Sequence, residues 1–237
     1  GWDWDSNQGF EAGGYTSSWQ GWMWKRSQGF DTVCYTGNGA AGHTIRHSLS
    51  TTPEMIWVKR RNTAAVWRVY HKGLNGGSSP EEYSLNLNNS NAEENATTVW
   101  TNAPTSINFS VGTHAGTNQD DDTYIAMLFS SVTGISKCGS YTGTGAAWSG
   151  SEVTCGFQPR FIIIKRRDAD RNWCVYDTLR GIDNQGSGTE EKVLFLNTTD
   201  SQDTADNITL SSTGFYFPGG SLNANASSGG YIFYAHA

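Results

Sequence analysis

Two basic triplets are the residues with the clearest potential to bind a ligand. Lys59-Arg60-Arg61 and Lys165-Arg166-Arg167 each directly follow a short apolar run. Arginine forks recognise carboxylate or phosphate groups through two parallel hydrogen bonds, and an acidic polysaccharide offers such groups. The alternative is a hairpin whose cations pair with Asp or Glu on a neighbouring loop or subunit. Because the triplet occurs at the same place twice, we favour an architectural role, with four arginines kept as candidate ligand-binding residues: Arg60, Arg61, Arg166 and Arg167.

Tryptophan is the second candidate for chemistry, because the chain contains ten. Aromatic faces stack on sugar rings, and the many amide side chains can bind hydroxyl groups. Trp67 and Trp173 occur at equivalent places in a repeated motif, so we predict that both lie in the core. Trp100 and Trp148 are not repeated and stand among loop-type residues. They are therefore the predicted sugar-stacking residues.

Metal and catalytic motifs are weak. Asp120-Asp121-Asp122 and Asp3-x-Asp5-x-Asn7 could offer oxygen ligands to calcium, but the second run lacks the glycine and closing glutamate of an EF-hand. We interpret both as acidic turns and predict no metal and no cofactor. No Gly-x-Ser-x-Gly motif occurs, and the glutamate pairs fall in polar loops rather than along strands. The chain is predicted not to be an enzyme.

The two basic triplets, together with Trp67 and Trp173, belong to an internal repeat. Pro53–Tyr70 (PEMIWVKRRNTAAVWRVY) returns as Pro159–Tyr176 (PRFIIIKRRDADRNWCVY), with Pro, Ile, Lys, Arg, Arg, Trp, Val and Tyr identical. The offset is 159 − 53 = 106 residues, which is the length of a small domain. We predict repeat 1 at 29–133 and repeat 2 at 134–237. Residues 1–28 are predicted to be the terminal strands of a preceding, truncated copy.

The elements that position the motifs read as β-strands. Met55–Val58 and Phe161–Ile164 are continuous apolar runs, as in central strands with both faces covered. Alternating segments follow at 66–70 and 172–176, and turn residues recur about every ten positions. No window carries a helical stripe. The predicted fold class is all-β, with two tandem antiparallel β-sandwich domains of jelly-roll type.

Composition limits the partners. The chain has 16 Lys plus Arg against 22 Asp plus Glu, a net charge of −6, which argues against nucleic acid. No apolar stretch is long enough to cross a membrane as a helix. Cys34 and Cys138 are predicted to be buried small residues. For Cys155 and Cys174 free buried thiols are favoured, and a disulfide remains the alternative.

The motif order resembles that of a known family. YTGNG, a Pro-led strand ending in KRR, a returning W-x-V-Y, LNLN or LFLN and a closing aromatic strand are similar to repeated domains in tail-fibre-like virion proteins of marine phages, especially cyanophages. The resemblance covers about Gly29 to Ala237. It implies concanavalin-type or jelly-roll sandwiches, a virion-surface or extracellular location, other virion proteins as partners, and a homo-oligomer that could be a trimer.

The first functional hypothesis is a non-enzymatic tail-fibre segment that presents loops for attachment to a host-surface polysaccharide or lipopolysaccharide. Many weak glycan contacts would be multiplied by copy number. The second is a spacer or capsid-decorating module without a ligand. The third, ranked lowest, is a polysaccharide depolymerase. An adhesin is expected to show exposed aromatic residues clustered at one end, whereas a spacer need not.

Overall fold

The structure is a computed structural model. It describes residues 2–3, 11–12, 21–183, 191–204, 208–219, 221 and 223–237, and the side chains of 2–3, 11–12 and 148–149 are not part of the description. Its regular elements are nearly all strands. In chain order these are β1 Trp2–Asp3, β2 Glu11–Ala12, β3 Phe30–Thr36, β4 His43–Arg46, β5 Met55–Arg60, β6 Arg68–His71, β7 Tyr83–Asn86, β8 Glu94–Asn95, β9 Asn108–Val111, β10 Thr123–Phe129, β11 Ser136–Thr142, β12 Val153–Thr154, β13 Phe161–Arg166, β14 Trp173–Asp177, β15 Lys192–Phe195, β16 Asp203–Thr204, β17 Thr209–Leu210, β18 Gly214–Tyr216 and β19 Gly230–His236.

Helical structure in the described part is short. One α-helix, α1, spans Ala115–Asn118, and the single-turn 3₁₀ helices are Leu74–Gly77, Pro80–Glu82, Trp148–Ser151 and Thr178–Arg180. Each lies in a connection between strands. The absence of a helical stripe in the sequence agrees with this.

Two six-stranded antiparallel sheets dominate the molecule and share one strand order. The sheet of repeat 1 runs β3-β10-β5-β6-β7-β8, and that of repeat 2 runs β11-β19-β13-β14-β15-β16. In both, the last strand of the repeat inserts between the first strand and the strand that carries the basic triplet. Smaller sheets, β4-β9 and β12-β18-β17, complete the two repeats.

Each repeat is a sandwich with its own interior. In repeat 1, Ile56 and Val58 of β5 point into a cluster with Phe109 and Val111 of the small sheet. In repeat 2, Ile162 and Ile164 of β13 enter the equivalent cluster, together with residues of β12 and β18. The predicted all-β sandwich fold is confirmed.

A third core joins the repeats. Met55 and Trp57, on the other face of β5, belong to the same buried cluster as Ile163 and Val175 of repeat 2. The outer faces of the two large sheets therefore pack on each other. Because β5 and β13 are covered on both sides, their sequences read as unbroken apolar runs.

A segment before β3 crosses this shared core. Residues 21–25 have no regular structure. The Trp24 ring lies 5.7–6.3 Å, centroid to centroid, from Phe30, Trp57 and Phe129 of repeat 1 and Phe161 of repeat 2. Residues 1–28 are predicted to be terminal strands, and for 21–25 that prediction is wrong. The preceding copy rests mainly on residues outside the described part and stays a prediction.

The repeated YTGxG motif forms a tight turn that packs closely against the backbone of a neighbouring loop. A Cβ on Gly37 would lie 2.1 Å from the carbonyl oxygen of Gln119, and one on Gly143 would lie 2.2 Å from that of Ala226. Only glycine fits such close backbone approaches. The motif is thus explained by packing, since each turn lies directly on the loop that precedes the last strand of its repeat.

Candidate functional site

The basic triplets are mostly engaged within the molecule. Arg60 pairs with Asp122, Arg166 Nε lies 2.7 Å from Asp168 Oδ1, and Arg167 pairs with Glu93 of the other repeat. Arg61 is exposed, and no ion pair involves it in the described ranges. Three of the four candidate arginines therefore fit the alternative in which the cations pair with acids on nearby loops.

The two lysines of the triplets are also internal. Lys59 Nζ donates to the carbonyl oxygen of Ala65 across its own hairpin. Lys165 is fully buried, and its Nζ donates to the carbonyl oxygens of Arg171 at 2.7 Å and Ser90 at 3.0 Å. Burial lowers the pKa of Lys165 to about 8. Apart from Arg61, the residues of the triplets thus connect loops instead of facing a ligand.

The predicted sugar-stacking tryptophans do not form a surface platform. Trp100 is only 2% exposed and packs edge-on against Tyr70 in the interior of repeat 1, so the prediction that it is a surface residue is wrong. Trp148 begins a 3₁₀ helix, but its side chain lies outside the description. Trp173 is buried as predicted, and its Nε1 donates to Asn86 of the other repeat. Trp67 is only partly buried.

Among the acidic candidates, Asp122 has an internal role, and so does a histidine nearby in repeat 1. Asp122 is buried and accepts from Asn62 Nδ2 at 2.7 Å besides pairing with Arg60. Within the described ranges no group of three or more His, Cys, Asp or Glu residues could hold a metal ion. The side chains of the Asp3-x-Asp5-x-Asn7 run lie outside the description. His114 Nε2 lies 2.9 Å from Arg68 Nη2, and burial together with this cation lowers its pKa.

All four cysteines are free thiols. Cys138, Cys155 and Cys174 are buried, which agrees with the favoured alternative, and burial raises the pKa of each thiol. Cys34 is exposed on the edge strand β3, so its predicted burial is wrong.

A surface pocket combines aromatic and polar side chains at one end of repeat 2. We call it the Trp22 pocket. Its volume is about 290 Å³, and the residues that matter most for its chemistry are Trp22, Arg160, Phe161, Asp177, Thr178 and His236. Three elements meet there: the segment 21–25, the facing ends of β13 and β14, and the end of β19. Arg160 N donates to the His236 carbonyl at 2.8 Å and fixes this junction.

The aromatic wall of the pocket is held from two directions. The Trp22 ring meets Phe161 edge-on at 5.9 Å, and the Arg180 guanidinium lies 5.7 Å from the centroid of the indole ring. Asp177 holds Arg180 in turn, because its Oδ1 accepts from Arg180 N at 2.9 Å and its Oδ2 pairs with the guanidinium. The carboxylate is therefore neutralised by a neighbouring cation.

Arg160 is the residue of this pocket that is best placed to bind an anion. The residue is exposed, and no ion pair or side-chain hydrogen bond involves its guanidinium in the portion of the chain that the structure describes. The sequence did not point to Trp22 or Arg160. Trp22 lies in residues 1–28, which are predicted to form strands. Arg160 occupies the position that Glu54 has in repeat 1, so it is not part of the repeated motif and does not stand out in the sequence.

Comparison with known proteins adds the family. A family model described as a domain of unknown function, DUF7483, matches residues 2–237. No curated protein and no solved structure gives a significant match. No helix among the described residues is long and apolar enough to cross a membrane. Since the family model spans nearly the whole sequence, the chain belongs to the DUF7483 family.

Proposed function

We propose that the chain is a non-enzymatic segment of a tail-fibre-like virion protein, and that it attaches to glycan on a host surface. The observation that carries the proposal is the Trp22 pocket. It places an aromatic ring, an arginine that has no ion-pair partner among the described residues, and hydroxyl- or imidazole-bearing side chains in one surface cavity. Such a combination suits sugars, which present apolar ring faces and polar edges.

The packing of the two repeats on each other supports this role. The large sheets of both repeats share one apolar core, and Trp24 packs against side chains from each. A binding pocket on a rigid frame loses little conformational entropy when a ligand binds. Weak sites of this kind gain strength when several copies engage together, which fits an oligomeric fibre.

A spacer without a ligand is the second candidate, and specific contacts favour it. Trp100 is buried, and Arg60, Arg166 and Arg167 are held by carboxylates of the same chain. The residues that the sequence offered first for binding thus stabilise the sandwich. In this role the joined repeats set distance and stiffness along a fibre.

Virion adsorption decides between the candidates. Particles of the phage that encodes this protein are labelled with gold-conjugated antibodies against the chain, and their adsorption to host cells is measured with and without an excess of the purified chain. We expect labelled fibres and slower adsorption in the presence of the competitor. Labelled fibres with unchanged adsorption would support the spacer, and unlabelled particles would overturn the virion assignment.

A further inference from the structure

The Trp22 pocket has a local charge balance opposite to that of the whole chain. The net charge of the protein is −6. Among the charged side chains that line this pocket, however, Asp177 is matched by Arg180, which leaves the Arg160 guanidinium as the unmatched charge. An adjoining cavity of about 350 Å³ shares Met23, Trp24 and His236 with the pocket and adds Lys25. Lys25 is exposed and also forms no ion pair in the described ranges.

Three arginines of the basic triplets provide a contrast to Arg160. Arg60, Arg166 and Arg167 each have a carboxylate partner within the protein. Arg160 and Lys25 form no ion pair in the described ranges and line two adjoining cavities with aromatic walls, so both cations are available to a ligand. Positive potential in a cleft also attracts anionic ligands over a distance of about 8–10 Å at physiological salt.

We propose that the Trp22 pocket binds a carboxylated sugar, namely a uronic acid unit of an acidic surface polysaccharide. This inference rests on the proposed glycan attachment and names its ligand class. The sugar carboxylate pairs with the Arg160 guanidinium, whose fork geometry suits two parallel hydrogen bonds. The apolar face of the sugar ring lies against Trp22.

The remaining polar groups suit the sugar hydroxyls. Thr178 offers a hydroxyl group at the rim. His236 Nδ1 lies 2.9 Å from the carbonyl oxygen of Ala237, while Nε2 has no partner in the described part of the chain. A volume of about 290 Å³ lies at the small end of ligand pockets, so the site suits one or two sugar units. Lys25, along the adjoining cavity, is placed to meet the next carboxylate of an extended chain.

Matched oligosaccharides test the ligand class by isothermal titration calorimetry on the full chain. The probes are hexamers of β-1,4-mannuronate, α-1,4-guluronate and α-1,4-galacturonate, and the neutral control is β-1,4-mannohexaose, which differs from the first only at the carboxylate. We expect at least one uronate to bind about tenfold more tightly than the control. Its affinity should fall as the salt concentration rises.

Two variants locate the contact. Arg160→Gln should weaken uronate binding about tenfold, whereas Arg46→Gln, which changes an exposed arginine on β4 of repeat 1, should leave it unchanged. Trp22→Phe should weaken binding of the uronate with little effect on folding, since it keeps an aromatic ring. Failure of all three uronates to bind, equal affinity for uronate and neutral control, or an unaffected Arg160→Gln variant would overturn the inference. The adsorption assay tests the proposed function separately. If the chain attached to a neutral glycan, the purified chain would still compete with the phage and slow its adsorption, even though the uronate inference had failed.

Discussion

At the scale of single residues, two buried asparagines organise the repeated turns. Asn118 Nδ2 donates to the carbonyl oxygens of Gly112 at 2.7 Å and Ala40 at 2.8 Å, and its Oδ1 accepts from Asn38 N. Asn225 Nδ2 donates to Ala146 in the same way, and its Oδ1 accepts from Thr144 N. Each side chain satisfies backbone groups that the tight turn leaves unpaired. Buried groups of that kind are costly when they lose their partner.

We therefore expect Asn118→Ala to reduce the free energy of unfolding by about 2–4 kcal/mol, because several buried backbone groups lose their partners. Urea unfolding followed by circular dichroism measures the loss. Asn225→Ala should have a similar effect in repeat 2. Asn91→Ala, at an exposed position, is the control and should stay within about 0.5 kcal/mol of the parent. An equal effect of Asn91→Ala and Asn118→Ala would contradict this account.

His71 makes the junction between the repeats sensitive to acid. The residue is fully buried; Nδ1 accepts from Gly73 N at 2.9 Å, and Nε2 lies 3.3 Å from the Phe233 carbonyl of repeat 2. Only the neutral ring suits both contacts, since a proton on Nδ1 would face the Gly73 N–H. Burial, helped by Lys72, lowers the pKa of His71 to about 3.

The sign of the pH effect follows. The unfolded chain takes up this proton near pH 6.5, and the folded chain does so only near pH 3, so the stability from His71 is lost as pH falls through that window. Between pH 7.5 and pH 5 the parent should lose about 2 kcal/mol more than His71→Gln. Urea unfolding at the two pH values gives both numbers. Equal losses of stability in the parent and in His71→Gln would show that at pH 5 His71 is protonated in the folded protein as well as in the unfolded chain.

At the scale of elements, the loop between β7 and β8 clamps the β13–β14 hairpin of repeat 2. Glu93 N donates to the Arg167 carbonyl at 2.6 Å, Arg171 N donates to the Ser90 carbonyl at 2.8 Å, and Ala92 N donates to Asp170 Oδ1 at 2.8 Å. The Arg167–Glu93 ion pair closes the contact. This polar loop thus serves the junction between the repeats.

Lys165 lies beneath this clamp and gives it an alkaline dependence. A neutral amine still has two N–H donors, which match its two carbonyl acceptors, so deprotonation costs neither hydrogen bond. The pKa is about 8 in the folded protein and 10.5 ordinarily, so the unfolded chain binds the extra proton between these values. Stability from this residue therefore rises as pH increases from about 8 towards 10.5.

We expect the stability difference between the parent and Lys165→Met to shift in favour of the parent by about 1 kcal/mol between pH 7.5 and pH 9. The comparison cancels the buried cysteines, whose raised pKa values act in the opposite direction in both proteins. Chemical unfolding at each pH measures the difference. A constant difference would mean that Lys165 stays charged in the folded protein throughout this range.

At the scale of the whole molecule, the sequence predicted what repeats and periodicity can encode. The apolar runs at 55–58 and 161–164 fall within β5 and β13, and the alternating runs at 66–70 and 172–176 overlap the strands that follow them, β6 and β14. Both runs indicated covered faces, but a pattern within one strand does not name the covering partner. The shared core and the Trp22 pocket were missed for that reason, because each depends on contacts between residues far apart in the chain.

The shared core has a consequence for unfolding. If one repeat opened alone, it would expose the outer face of the other, which carries Trp57 and Val69 in repeat 1 and Trp173 and Tyr234 in repeat 2, all now buried in one cluster. Exposing so much apolar surface costs about 25 cal/mol per Å², so partly unfolded states should be poorly populated. The two repeats are therefore expected to unfold together, although each has its own interior.

Scanning calorimetry of the parent and Phe109→Leu tests this coupling. Phe109 lies in the interior of repeat 1, away from the shared core, and the substitution should cost about 1–2 kcal/mol. We expect one unfolding transition whose calorimetric and van't Hoff enthalpies agree. Phe109→Leu should lower the midpoint temperature of this single transition, in which both repeats unfold. Leu179→Ala, at a side chain that is 90% exposed, is the control and should leave the midpoint unchanged. Two resolved transitions, of which only one responds to Phe109→Leu, would show that the repeats are independent and that the sheet-to-sheet contact adds little to stability.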